Sequence, residues 1–162
     1  MDKTSWEGGK ADLKERTFVM LKPEALMRSL VGEVVSRIER KGLNIVGMKL
    51  LCLSREEAGS LYEAHQGKPF YDPLIDHVTS GPVVVIVAEG PNAVTVVRNM
   101  VGATDPQKAS TGTIRGDFAL ITRKNVIHAA DSFESADREI GLFFSENEIF
   151  EYEKPTEKEF LL

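Results

Sequence analysis

Cysteine is almost missing from this chain. Cys52 stands alone among 162 residues, so no disulfide can form within it. A single thiol fits a reducing, cytoplasmic setting. No apolar run approaches the roughly 18 residues of a membrane span. Met1 to Arg16 is polar and lacks an apolar stretch, so no secretory signal is expected. Positive charge is not in excess. The net charge of -5 argues against a nucleic-acid partner, because the phosphate backbone demands a basic face. A local basic pocket is still compatible with an acidic protein. There is no Gly-x-x-x-x-Gly-Lys-Ser/Thr loop, no Gly-x-Gly-x-x-Gly turn and no Gly-x-Ser-x-Gly elbow. No set of His, Cys and carboxylate residues has metal-ligand spacing, so no metal held by protein side chains alone is expected.

What is present is an ordinary globular composition, 42% hydrophobic and 28% charged, in a length that suits one domain with a real core. Residues 1–15 read as a polar arm, 16–152 as the single domain and 153–162 as a tail. Thr17 to Leu21 is a short apolar strand that stops at Lys22-Pro23. Val31, Val34, Val35 and Ile38 have helical spacing, with Gly42 as the stop. Leu43 to Cys52 reads as a second strand, and Ser54 to Glu57 as a capping box that opens a helix. A loop-rich stretch with Gly67, Pro69, Pro73 and Gly81 follows. Val83 to Ala88 is continuously apolar, a strand buried on both faces. Pro91 fits the first turn of a helix that runs to Gly102. Thr104 to Asp117 reads as a long loop, Phe118 to Thr122 as the fourth strand, and Ser135 as the cap of a helix ended by Gly141. The order is that of an α/β (α+β) ferredoxin-like βαββαβ sandwich: a four-stranded, mainly antiparallel sheet with helices on one face. That fold alone decides nothing about function.

The residues that can carry chemistry cluster where strands and helices end. The chain has three histidines, and His128 lies closest to phosphate-binding residue types. An imidazole has an ordinary pKa of about 6.5, so near pH 7 it is mostly a neutral nucleophile. Beside arginines and an asparagine it suits transfer through a phosphohistidine. The plainer reading is a satisfied core histidine at a strand end. Lys22 follows the first strand directly, and an ordinary exposed lysine is its plainer reading. Arg98 sits in an apolar helix and must find an anion or a solvated edge. Thr104 and Arg115 flank the long loop, and Asn125 precedes His128 by three residues. Guanidinium groups bind phosphate oxygens bidentately while an ammonium acts as a point charge, so this set suits a polyphosphate. Phe70 is a loop aromatic that can stack a base or cap a small satellite core. His65 and His77 read as structural or exposed.

Five stretches in order carry a resemblance: Arg16 to Pro23, His77-x-x-Ser80-Gly81-Pro82-Val83, Gly112 to Asp117, Asn125-x-x-His128-Ala129-x-Asp131-Ser132, and Glu139 to Phe144. Together they closely resemble the nucleoside diphosphate kinase family, from about Arg16 to about Tyr152. The resemblance implies a ping-pong phosphotransferase in which a nucleoside triphosphate phosphorylates His128 and a nucleoside diphosphate then accepts the group. It implies that Glu139 bonds the other ring nitrogen of His128, and that Tyr62 and Lys22 lie near the transferring phosphoryl group and the ribose. It also implies that Arg98, Thr104 and Arg115 clamp phosphates, that Asn125 contacts ribose and phosphate, and that Phe70, with Leu74 beside it, stacks on the base. Magnesium would arrive bridging the nucleotide phosphates. Relatives of this kind form homo-oligomers, here a hexamer in preference to a tetramer. The chain departs from the family pattern at Ala130, where a serine is usual, at Glu24, where many relatives have aspartate, and at Thr122, where an apolar residue often packs on the base. The rival reading is a non-catalytic ferredoxin-like regulatory domain that only binds nucleotides. Intact Lys22, Tyr62, Arg98, Thr104, Arg115, Asn125, His128 and Glu139 argue against it.

Overall fold

Two apolar strands make the centre of the molecule. In a computed structural model that describes residues 14–154, β1 (Arg16–Leu21) and β3 (Pro82–Glu89) pair antiparallel, with Phe18 opposite Val87 and Met20 opposite Val85. β2 (Asn44–Cys52) pairs with β3 on one side, and β4 (Ile127–Ala129) with β1 on the other. The strand order is β2-β3-β1-β4, every neighbour antiparallel, which is the ferredoxin-like arrangement.

Side chains alternate across a strand, so a run buried throughout needs cover on both sides. One face carries Phe18, Met20, Val83, Val85 and Val87, packed by α3 (Arg55–Leu61), α4 (Tyr71–Val78) and α7 (Phe133–Phe143). The other carries Val19, Leu21, Val84, Ile86 and Ala88, packed by α1 (Pro23–Met27), α2 (Val31–Arg40), α5 (Ala93–Val101) and α6 (Ile114–Phe118). Helices on one face alone, as the element order suggested, is therefore wrong. The unbroken apolar character of β3 already required two covered faces.

The helix signals have mixed outcomes. The Ser54–Glu57 capping box forms with both of its hydrogen bonds. α2 buries Val34 and Ile38, and Gly42 follows it with φ +101°. The stretch expected to be loop contains α4, because Pro73 falls in its first turn, where a missing N–H costs nothing. Pro91 lies outside α5, whose cap is Asn92. Ser132, not Ser135, caps α7 by accepting from the Ser135 amide, and the helix runs through Gly141 to Phe143. The expected long loop holds α6 and a short 3-10 turn, Pro106–Lys108.

The fourth strand is also displaced from its expected place. Phe118 ends α6, and Leu120 and Ile121 are exposed. β4 is instead three residues long, and its pairing places His128 opposite Met20. The arm and the tail beyond residues 14–154 lie outside the described residues.

α6 is held tightly against the preceding turn. Arg37 of α2 donates to the Gly112 carbonyl and to Asp117, and Asp117 accepts the Gly112 amide. A side chain on Gly116 would collide with the carbonyl oxygen of Ser110. Gly116→Ala is expected to lower stability by about 1–3 kcal/mol, as other overpacking changes do. The check is the melting temperature in thermal unfolding, and an unchanged value would show that the turn has slack.

Candidate active site

Asn125, Ile127, His128 and Ala129, from β4 and the turn before it, help to line one cleft of about 590 Å³. His128 Nε2 lies 2.7 Å from Glu139 Oε2, whose side chain is almost fully buried on α7. A carboxylate only accepts, so Nε2 carries the hydrogen of this bond, and in the neutral ring the lone pair is then on Nδ1. Arg138 steadies the carboxylate. It donates to the Ser60 and Leu61 carbonyls, and its Nη2 lies 3.8 Å from Glu139 Oε1. Tyr62 meets the imidazole edge-on at 5.4 Å between ring centres, and Phe18 flanks it at 6.1 Å.

The cleft wall is cationic. Lys22 Nζ donates to Asn125 Oδ1 at 2.6 Å, and Asn125 Nδ2 donates to the Thr104 carbonyl at 3.0 Å. Arg115 spreads its donors over the carbonyls of Asn125, Gly102 and Ile127. Arg98 makes a weak 3.4 Å contact with the Ala129 carbonyl. Burial moves these groups. Lys22 is pushed down to about 8 by desolvation, with Glu24 pulling it up and Arg115 pushing it further down. Arg115 is pulled down to about 10 by desolvation and by Arg98. Desolvation raises the Tyr62 phenol, helped by Glu139, and its buried hydroxyl has no hydrogen-bond partner among the described residues. Uncomfortable cations and an orphan hydroxyl are what a polyanion would relieve.

The mouth is aromatic. Phe70 is half exposed, with His65 against its ring at 5.4 Å and Lys68 Nζ 5.8 Å from its centre. Leu74, Pro73 and Thr122 complete this end. All ten residues singled out in the sequence (Lys22, Tyr62, Phe70, Leu74, Arg98, Thr104, Arg115, Asn125, His128 and Glu139) line the one cleft. So do His65, Arg123, Asp131, Ser135 and Arg138, which sequence reasoning left out. For Arg138 a signal existed, since it adjoins Glu139. For His65 none did, because a histidine in a polar turn looks solvated. Ala130 lies in the apolar core beside the site, 1% exposed, with its amide bonded to the Phe18 carbonyl.

The turn into β4 is strained. Val126 has φ +73°, rare for a β-branched residue, and the Ile127 amide donates back to the Asn125 carbonyl at 2.8 Å, closing a γ-turn. Such a conformation costs about 1–3 kcal/mol and persists only where its surroundings over-determine it.

A ferredoxin-like sheet that carries such a cleft defines a phosphotransferase that works on nucleotides. The model of the family described as nucleoside diphosphate kinase matches residues 15–149. An Archaeoglobus fulgidus protein named nucleoside diphosphate kinase is 58% identical over 143 residues, which are 88% of this chain and 95% of that one. One from Ignicoccus hospitalis is 62% identical over 137 residues, 85% of this chain and 93% of that one. Among solved structures, a halophilic nucleoside diphosphate kinase from Halobacterium salinarum, in complex with CDP, superposes with a TM-score of 0.87 at 43% identity, covering 90% of this chain and 97% of that one. The chain belongs to the nucleoside diphosphate kinase family, and its activity is transfer of the terminal phosphoryl group from a nucleoside triphosphate to a nucleoside diphosphate.

Lys22 gives the site a pH dependence. Its folded value lies below the unfolded value near 10.4, so between about pH 8 and pH 10.4 the unfolded chain holds a proton that the folded chain has shed. Its burial therefore destabilises the ligand-free fold at neutral pH, on the order of 3 kcal/mol, and the cost is relieved as pH rises through that window. Binding runs the other way. The terminal phosphate of a diphosphate has lost nearly all of its last proton by about pH 8, so ADP affinity should fall as pH climbs beyond 8 and Lys22 loses its charge. Titrations of ADP between pH 7 and 9 check this, with Lys22→Met expected to bind weakly and almost independently of pH. An equally steep fall in that variant would remove Lys22 as the cause.

Proposed function

We propose that transfer runs by a ping-pong mechanism through a phosphohistidine on His128. The observation that carries this is a carboxylate-braced imidazole that lines a cationic cleft, with Nε2 engaged by Glu139 and Nδ1 left for the attack. The Nδ1 lone pair attacks the terminal phosphorus of a nucleoside triphosphate, an N–P bond forms, and the P–O bond to the nucleoside diphosphate breaks. Nε2–H stays bonded to Glu139, which stabilises the positive charge on the ring. The second half runs in reverse, with a different nucleoside diphosphate attacking the phosphohistidine.

Lys22, Arg98 and Arg115 hold the phosphates, with the exposed Thr104 beside them. Asn125 and Lys22 reach the ribose and the bridging region. Tyr62 offers its unpartnered hydroxyl. Phe70, with Leu74 beside it, stacks on the base, a contact that tolerates every base because each has a π-face. Phosphoryl transfer asks chiefly for positioning and charge stabilisation, and this is what these residues supply. The cleft's charged side chains are mostly cationic, and they fit a magnesium ion carried by the nucleotide phosphates rather than a protein cage. When bound there, magnesium neutralises phosphate charge. A module that merely binds nucleotides would have no use for a braced nucleophile, and the relatives are named as kinases.

The unit that does this is one catalytic domain over residues 16–152, in the cytoplasm. No helix among the described residues is long and apolar enough to cross a membrane. Exposed Met48 and Leu50 on β2 and exposed Leu120 and Ile121 after α6 support a homo-oligomer, and family analogy alone makes it a hexamer in preference to a tetramer.

Two outcomes follow. With γ-labelled ATP, the wild-type chain should take up acid-labile, base-stable label. His128→Ala should lose both label and turnover while ADP affinity stays within about threefold, since the nucleotide-holding residues are separate from the nucleophile. Turnover in that variant near the wild-type rate would sink the mechanism. Light scattering should give a mass of several chains, and a stable single-chain mass would refute the assembly.

A further inference from the structure

Behind the site, the buried Glu24 meets the partly buried His77, and neither has a place in the transfer step described above. Glu24 and His77 do not line the cleft. Glu24 sits in the first turn of α1, is 7% exposed, and reaches His77 Nε2 at 2.6 Å. His77 is in the last turn of α4, on the opposite face of the sheet. The pair therefore connects the two helical layers.

The other carboxylate oxygen has a second task. Glu24 Oε1 accepts the amide of Val126 at 3.0 Å. Val126 is fully buried and is the residue whose φ is +73°. Its carbonyl is taken by the Lys22 amide at 2.9 Å. The strained turn is thus gripped on its N–H by Glu24 and on its C=O by Lys22. The residues it displaces are the ones that matter. Asn125, one position before, receives Lys22 Nζ, and His128, two positions after, bonds Glu139. A rotation of the Val126 peptide would move both.

We infer that the Glu24–His77 pair positions the phosphoryl-transfer site: His77 orients the Glu24 carboxylate, and Glu24 holds the strained Val126 turn that aims Asn125 and His128 into the cleft. The inference rests on the reading of His128 as nucleophile. An isolated carboxylate–imidazole pair is weak evidence of a stabilising role, because apolar replacements are often tolerated. Here, however, removing the carboxylate leaves the buried Val126 amide without its acceptor, and a buried donor left unmade releases the strained conformation. The effect should therefore appear in the rate of the chemical step, beyond any change in stability.

The experiment is single-turnover phosphorylation by quench-flow with γ-labelled ATP at 25 °C, with ADP affinity and melting temperature measured in parallel on the full chain. Glu24→Ala is expected to phosphorylate at least tenfold more slowly, with a smaller change in ADP affinity. Glu24→Gln should recover most of that rate. Its amide oxygen can still accept from Val126 and its amide nitrogen can donate to His77 as the other tautomer. His77→Phe should slow the step threefold or more, and Glu24→Ala/His77→Phe should be no slower than Glu24→Ala, because His77 acts only through Glu24. If Glu24→Ala does not fold, the contrast between Glu24→Gln and His77→Phe carries the test. A lowered melting temperature with a wild-type rate in Glu24→Ala would make the pair merely structural, and effects that multiply in the double variant would break the relay. Wild-type chain that takes no label on histidine would instead overturn the nucleophile itself, a result visible before any variant is made.

Discussion

The 2.7 Å bond between His128 and Glu139 obliges an edge strand and a helix to keep their distance to within tenths of an ångström, since hydrogen bonds weaken steeply outside that range. Several features follow from it. β4 has only three residues, so its hold on β1 is lengthened by the Ala130 amide, which donates to the Phe18 carbonyl. α7 starts almost at once, because Ser132 caps it. Its far end is pinned where Phe143 stacks on Phe18 at 5.2 Å. Phe18 thus flanks the imidazole and also stacks on the helix that carries Glu139. Ala130 fits this arrangement as a small apolar residue in the seam between strand and helix.

The same economy of space explains the electrostatics. A cleft deep enough to exclude water from a reacting phosphoryl group must bury the cations that line it, and burial disfavours their charge. The chain offsets that cost with neutral oxygen atoms. Three carbonyls face the Arg115 guanidinium, and an amide oxygen faces Lys22. These acceptors are neutral, so they hold the cations in place without cancelling the field that a nucleotide would meet. Negative charge at the site is kept to places where it does other work: Glu139 behind the imidazole, and Asp131, held below the usual carboxylate range by a hydrogen bond from Ser135 and by Arg98.

Much of this was legible in the sequence, and the failures have physical causes. The first three strands and the main helices between them followed from caps, apolar runs and helix stops, because local signals such as the Ser54–Glu57 box form within a few residues. β4 was misplaced because Phe118 to Ile121 has strand-like composition, whereas the real strand owes its existence to pairing with β1, a contact that no local pattern records. α4 was missed because a proline was read as a breaker where it sits harmlessly in a first turn. Lys22, Arg98, Thr104, Arg115, Asn125 and His128 stood out as polar types where strands and helices end, whereas Tyr62, Leu74 and Glu139 entered the site only through the family resemblance. His65 did not, because its place beside Phe70 and Tyr62 comes from how the turn after α3 folds back. Glu24 and His77 lie 53 positions apart, and only the packed structure brings them together.

The C-terminal segment has a consequence for how this protein avoids sticking to others. β2 is an edge strand with an irregularity between Ile45 and Gly47. There the chain's own end takes up the spare acceptors: the Phe150 amide binds the Val46 carbonyl, the Tyr152 hydroxyl the Ile45 carbonyl and the Lys154 ammonium the Leu43 carbonyl. An open edge is a template for sheet growth, and covering it is how soluble proteins escape aggregation. Among the described residues the half that carries Met48 and Leu50 keeps those side chains exposed, so residues 150–154 act as a stop that fixes how far along the strand any added backbone can pair.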